Sequence, residues 1–150
     1  MAKPGTSPTG ASKGSPPAAG ANPSQERQAI FQIIQNGDYA TLVERAEQLG
    51  RELAAQRLTT SQIRNVFGEV KRLQMRFDAN RLRMLKPKLA YMGARAGTGG
   101  QKLREVLTSA VDAVFSGNPT EQETLQRFQR MVDFFEAILA YHKAFGGRDR

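Results

Sequence analysis

The chain has 150 residues, with 22 Lys and Arg against 14 Asp and Glu, and no Cys. The missing Cys removes disulfides, thiolate metal sites and Cys nucleophiles together, and no apolar run approaches the ~20 residues that span a bilayer. Of residues 1–24, twenty are Pro, Gly, Ser, Thr or Ala. Such a stretch cannot bury enough apolar surface to offset its ordering entropy, so it is expected to be a disordered tail. It lacks the apolar centre of a signal peptide. Residues 25–147 are expected to form one all-α domain, a compact bundle of five to six helices.

In chain order, Ser24 can cap a first short helix carrying Ile30, Phe31, Ile33 and Ile34, ended by Gly37. Asp38 then caps a second helix whose stripe is Leu42, Ala46, Leu49 and Leu53. Thr59 or Thr60 opens a third, with Ile63, Val66, Phe67, Val70, Leu73 and Phe77 on one side. It should fade between Asp78 and Lys86, and Pro87 is well placed as first residue of the fourth helix. That helix runs to Gly97, where Gly97-Thr98-Gly99-Gly100 reads as a flexible loop. A fifth helix carries Leu103, Val106, Leu107, Ala110, Val111 and Val114 and stops at Gly117. Thr120 and Glu123 form the clearest local signal, a capping box that starts the last helix. The apolar residues of that helix, Phe128 to Leu139, cover more than one stripe. It either runs through the bundle centre, the favoured reading, or meets a neighbouring subunit.

Enzyme readings find no footing. The one His, His142, cannot build a metal cluster alone and reads as a capping or interface residue. The Gly-rich stretch lacks the spacing of a phosphate-binding loop, and the carboxylates are scattered. No cofactor, metal or small-molecule substrate is implied.

Charge is segregated. From Arg57 to Arg104 there are twelve basic residues and two acidic ones, Glu69 and Asp78, so this window carries +10 of a net +8 and the rest −2. A densely anionic partner accounts for that pattern better than solubility alone. On the third helix Arg64, Lys71, Arg72 and Arg76 form a broad stripe away from the apolar side, with Gly68 in its middle. A glycine within a helix costs ~1 kcal/mol relative to alanine. Close approach of a sugar–phosphate chain, packing of another subunit, or a tolerated surface glycine would each explain it. Lys86 and Lys88 flank the start of the fourth helix, where they oppose the helix dipole unless an anion is present. Tyr91 is the one candidate stacking platform, so backbone charge contacts should dominate base stacking.

The run Leu58-Thr59-Thr60-Ser61-Gln62-Ile63-Arg64, then Leu85-Lys86-Pro87-Lys88-Leu89-Ala90-Tyr91 with Arg95, then Phe128 through Val132-Asp133-Phe134-Phe135-Glu136-Ala137-Ile138 to Tyr141-His142, resembles the small subunit of type III-A CRISPR effector (Csm) complexes. The resemblance covers about residues 57–145. It implies a non-catalytic, cytoplasmic helical subunit stacked in several copies beside the guide-holding backbone subunits and against target RNA. Its basic positions here are Arg64, Lys71, Lys86, Lys88 and Arg95; with Gly68 and Arg72 they make the expected RNA-binding set. Partners would be guide and target RNA, other subunits of the complex and further copies of the chain, with no membrane. The alternative from the residues alone is a helical protein-interaction module whose basic face meets acidic partner surfaces.

Overall fold

The computed structural model describes residues 22–148, and these form seven helices: α1 (Pro23–Asn36), α2 (Tyr39–Ala55), α3 (Thr60–Met75), α4 (Ala79–Arg83), α5 (Leu85–Arg95), α6 (Gly97–Phe115) and α7 (Glu121–Ala144). No strand occurs among the described residues. The head read as a disordered tail lies, for residues 1–21, outside them.

Local chemistry sets most boundaries. Asn22, not Ser24, caps α1, its side chain accepting from the Gln25 N–H at 2.8 Å. Asp38 caps α2 through the Thr41 N–H, and Thr59 caps α3 in a reciprocal box with Gln62. Thr120 and Glu123 form the expected box at α7. In each case an oxygen meets a donor that the first helical turn leaves unpaired.

The middle of the chain departs from expectation. The third helix stops at Met75, before the Asp78–Lys86 stretch in which it is expected to fade. Arg76 is extended, and Asp78 caps the five-residue α4 by accepting from the Asn80 and Arg81 N–H groups. Pro87 is the third residue of α5, not the first. The ring is tolerated there because the first-turn N–H has no intrahelical acceptor anyway. The Gly97–Gly100 stretch is no loop: it is the first turn of α6. Gly97, at φ +73°, turns the chain between α5 and α6. A Cβ at Gly100 would lie 2.5 Å from that of Ala96, and one at Gly99 2.9 Å from that of Leu58. The glycines are there because helix and loop backbones pass too closely for side chains.

Helix α7 is the centre of the bundle, packed against α1, α2, α3 and α6. This settles the two readings of its wide apolar surface: Phe128, Met131, Val132, Phe134, Phe135 and Ile138 are all buried. Its outer residues also close its neighbours' ends. Arg127 donates to the Ser116 carbonyl at the end of α6, and Arg130 to the Ile34 and Gln35 carbonyls at the end of α1. His142 is neither cap nor interface residue. It is fully buried, with Nε2 donating to the Leu58 carbonyl at 2.6 Å, which ties α7 to the α2–α3 connection.

α1 is integral to this core, since Ile30, Ile33 and Ile34 are all buried. Its Glu26 accepts from Arg45 of α2 at 3.1 Å and Lys102 of α6 at 2.8 Å, with only 8% of the carboxylate side chain exposed. Glu26→Gln should lower unfolding stability by about 2 kcal/mol in chemical denaturation. Two cations then lose their anion, although Arg45 and Lys102 retain some water. An unchanged midpoint would show the triad to be energetically neutral.

Candidate nucleic-acid interface

α3 and α5 lie side by side, and α4 closes one end of the groove between them. Two adjoining hollows of about 320 Å³ and 300 Å³ run along it and share Glu69, Leu85 and Lys88. The first is walled by Gln62 and Asn65 from α3 and by Tyr91 and Arg95 from α5. The second is lined by Arg72, Arg76, Arg81 and Lys88. Three helices and the α3–α4 connection, which carries Arg76, therefore deliver five cations to one groove. Its one carboxylate is Glu69, which accepts from Lys88 at 2.9 Å and Arg72 at 2.8 Å. The hydrogen bond from Lys88, helped by Arg72 and only partly opposed by burial, holds the Glu69 carboxyl below the usual carboxylate range. Arg76 and Arg81 form no ion pair among the described residues.

The seven residues expected from sequence fall into three places. Arg72, Lys88 and Arg95 line the groove. Arg64, Gly68 and Lys71 share the other shoulder of α3. There Arg64 is exposed without an ion pair among the described residues, Lys71 Nζ sits 5.7 Å from the Phe67 ring centre, and nothing stands within 4 Å of a Cβ built on Gly68. Lys86 points the other way and pairs with Asp112 of α6 at 2.7 Å. Arg76 was legible as part of the basic stripe of the third helix, Arg81 only as a member of the basic window. Their placement depends on where α4 and α5 dock, which no local pattern encodes.

Several cations elsewhere are committed to the fold, as Arg45 and Lys102 are to Glu26. A hollow of about 410 Å³ on the outer face of α1 carries one cation, Arg27, and that guanidinium already contacts Asp112 at 3.2 Å. Among the described residues no group of three or more His, Asp or Glu side chains could hold a metal, and no helix is long and apolar enough to cross a membrane.

Fold and groove together define a small helical protein with one cationic, partly apolar face. A family model described as Csm2 Type III-A matches residues 36–148, and the chain belongs to that family, the small subunit of type III-A CRISPR effector (Csm) complexes. The match begins at the last residue of α1 and extends beyond the 57–145 stretch that carried the sequence resemblance. No curated protein and no solved structure is significantly similar to the chain.

Proposed function

We propose that this subunit holds the sugar–phosphate backbone of the target RNA, or of the guide–target duplex, in the α3–α5 groove, in the cytoplasm and without catalysing a reaction itself. One observation carries the reading: Arg72, Arg76, Arg81, Lys88 and Arg95 converge on one groove with a single carboxylate among them. Phosphate neutralisation is the economical use of such an array. The absence of catalysis is supported by the site of the lone His, enclosed in the core with Nε2 spent on the Leu58 carbonyl.

A second contact is favoured on the other shoulder of α3. Met75, 88% exposed, follows Arg64, Gly68 and Lys71 along that side. An apolar side chain beside an open glycine suits a protein neighbour, a sister subunit or another copy of this chain, better than water.

Salt titration of RNA binding by the full chain tests the groove. With about five phosphates engaged, log K should fall with log salt at a slope near −3.5, at roughly 0.7 per contact for a single strand. A slope near zero would favour the pure protein-interaction reading. Glu69→Gln adds a sharper expectation. Removing the carboxylate frees Lys88 and Arg72 from a competing anion, so affinity should rise severalfold while the slope, which already counts those two cations, stays near −3.5. Weaker binding by that variant would mean Glu69 positions the cations rather than competing for them.

A further inference from the structure

The hollow nearer the α3 N-terminus differs from its neighbour. Its floor is apolar, made by Val66, Leu85, Met92 and Ala96. Val66 and Leu85 are otherwise buried, so this is core surface reached from outside. A purely electrostatic groove has no use for such a floor. Tyr91 forms one wall, with 66% of the residue exposed, and the Arg95 guanidinium lies 5.4 Å from its ring centre. Opposite stands Asn65 of α3, exposed and without a hydrogen-bond partner among the described residues. At about 320 Å³ the hollow is at the small end of the range for small-ligand sites, roughly 300–1,000 Å³.

We infer that this hollow receives one unstacked nucleobase of the RNA whose phosphates follow the adjoining cationic hollow. The inference rests on the backbone reading above. An exposed aromatic wall with a guanidinium beside it offers the base a π-face contact. The apolar floor takes the rest of its faces, and the free Asn65 amide, both donor and acceptor, meets its polar edge. The neighbouring cations select a nucleotide over an uncharged aromatic, because a base entering here brings its phosphate to Lys88 and Arg95. Every base has a π-face and a polar edge, so the pocket tolerates sequence while requiring that a base be present.

The test compares a single-stranded RNA with an abasic ribose–phosphate chain of equal length, both bound to the full chain at one salt concentration. The two carry the same charge. The abasic chain should bind roughly five- to 150-fold more weakly, the range of one lost base–aromatic stack. Tyr91→Leu should bring RNA down to the abasic level while leaving the abasic chain's affinity unchanged, and Tyr91 is exposed enough for the fold to survive. Equal affinity for both chains, with Lys88→Glu/Arg95→Glu still weakening each, would overturn the base pocket and leave the backbone site standing. If that double variant binds both chains like the parent, the groove reading fails and the pocket with it. If Tyr91→Leu keeps RNA affinity but loses association with sister subunits, the hollow takes a protein side chain and the inference is wrong.

Discussion

Reversing Lys88 and Arg95 together to Glu should weaken RNA binding by the full chain roughly 30- to 150-fold at low ionic strength, about 2–3 kcal/mol. Two charge-assisted contacts to phosphate disappear, and two carboxylates then face the same backbone. The salt slope should flatten by about 1.4 units, at 0.7 per lost phosphate contact. Stability should change little. Lys88 is 56% exposed and its partner Glu69 35%, and exposed pairs of this kind contribute at most about 1 kcal/mol. Lys86→Glu is the informative contrast. That ammonium is held by Asp112 on the α6 side of α5, so its reversal should disturb RNA binding far less. Were Lys86→Glu the more damaging variant for RNA, the binding surface would lie across α5 and α6.

The second large effect concerns the core. Gly50→Ala should lower stability by about 2–3 kcal/mol and the Tm by roughly 10 °C, near the upper end for overpacking one methyl group. A Cβ at Gly50 would stand 2.5 Å from the Tyr141 Cβ, 2.7 Å from the His142 backbone nitrogen and 2.9 Å from the Tyr141 carbonyl carbon. None of these atoms is the far end of a flexible side chain, so α2 and α7 themselves must separate. Separation would also strain the His142 bond to the Leu58 carbonyl. The loss outweighs the gain of up to ~1 kcal/mol that alanine brings to a helix interior. Gly68→Ala has that gain alone, since nothing lies within 4 Å of the added atom, and should stabilise the free subunit by up to ~1 kcal/mol. The same substitution should therefore move the two melting curves in opposite directions. A Gly50→Ala variant as stable as the parent would mean that the α2–α7 contact yields without cost.

These two glycines show where sequence reasoning stops. The stripes on α2 and α3, the boxes at Thr59 and Thr120 and the cap at Asp38 are local, and each was legible because its partners lie within four residues. Gly50 was not singled out at all, and Gly97–Gly100 read as a loop. At Gly50 and Gly99 the reason for the glycine is a segment distant in sequence, and at Gly97 it is a left-handed backbone that only the folded turn reveals. The basic window was visible as composition, but its division was not. Helical spacing could group Arg64, Lys71 and Arg72 on one broad stripe. Only the docking of α5 against one side of α3 sends Arg72 to the groove and leaves Lys71 over Phe67. Lys86 and Lys88, two residues apart, face different neighbours for the same reason: one turns to Asp112 and the other to Glu69.

RNA that runs along the α3–α5 groove must lie within bonding reach of its walls. Photo-cross-linking tests it directly: target RNA carrying 4-thiouridine is irradiated in the assembled complex, and cross-linked peptides of this subunit are mapped by mass spectrometry. Adducts should fall on residues 62–95, concentrated at Tyr91 and its neighbours on the groove wall. Adducts confined to the outer faces of α1, α2 or α7, with none on α3 or α5, would contradict that path.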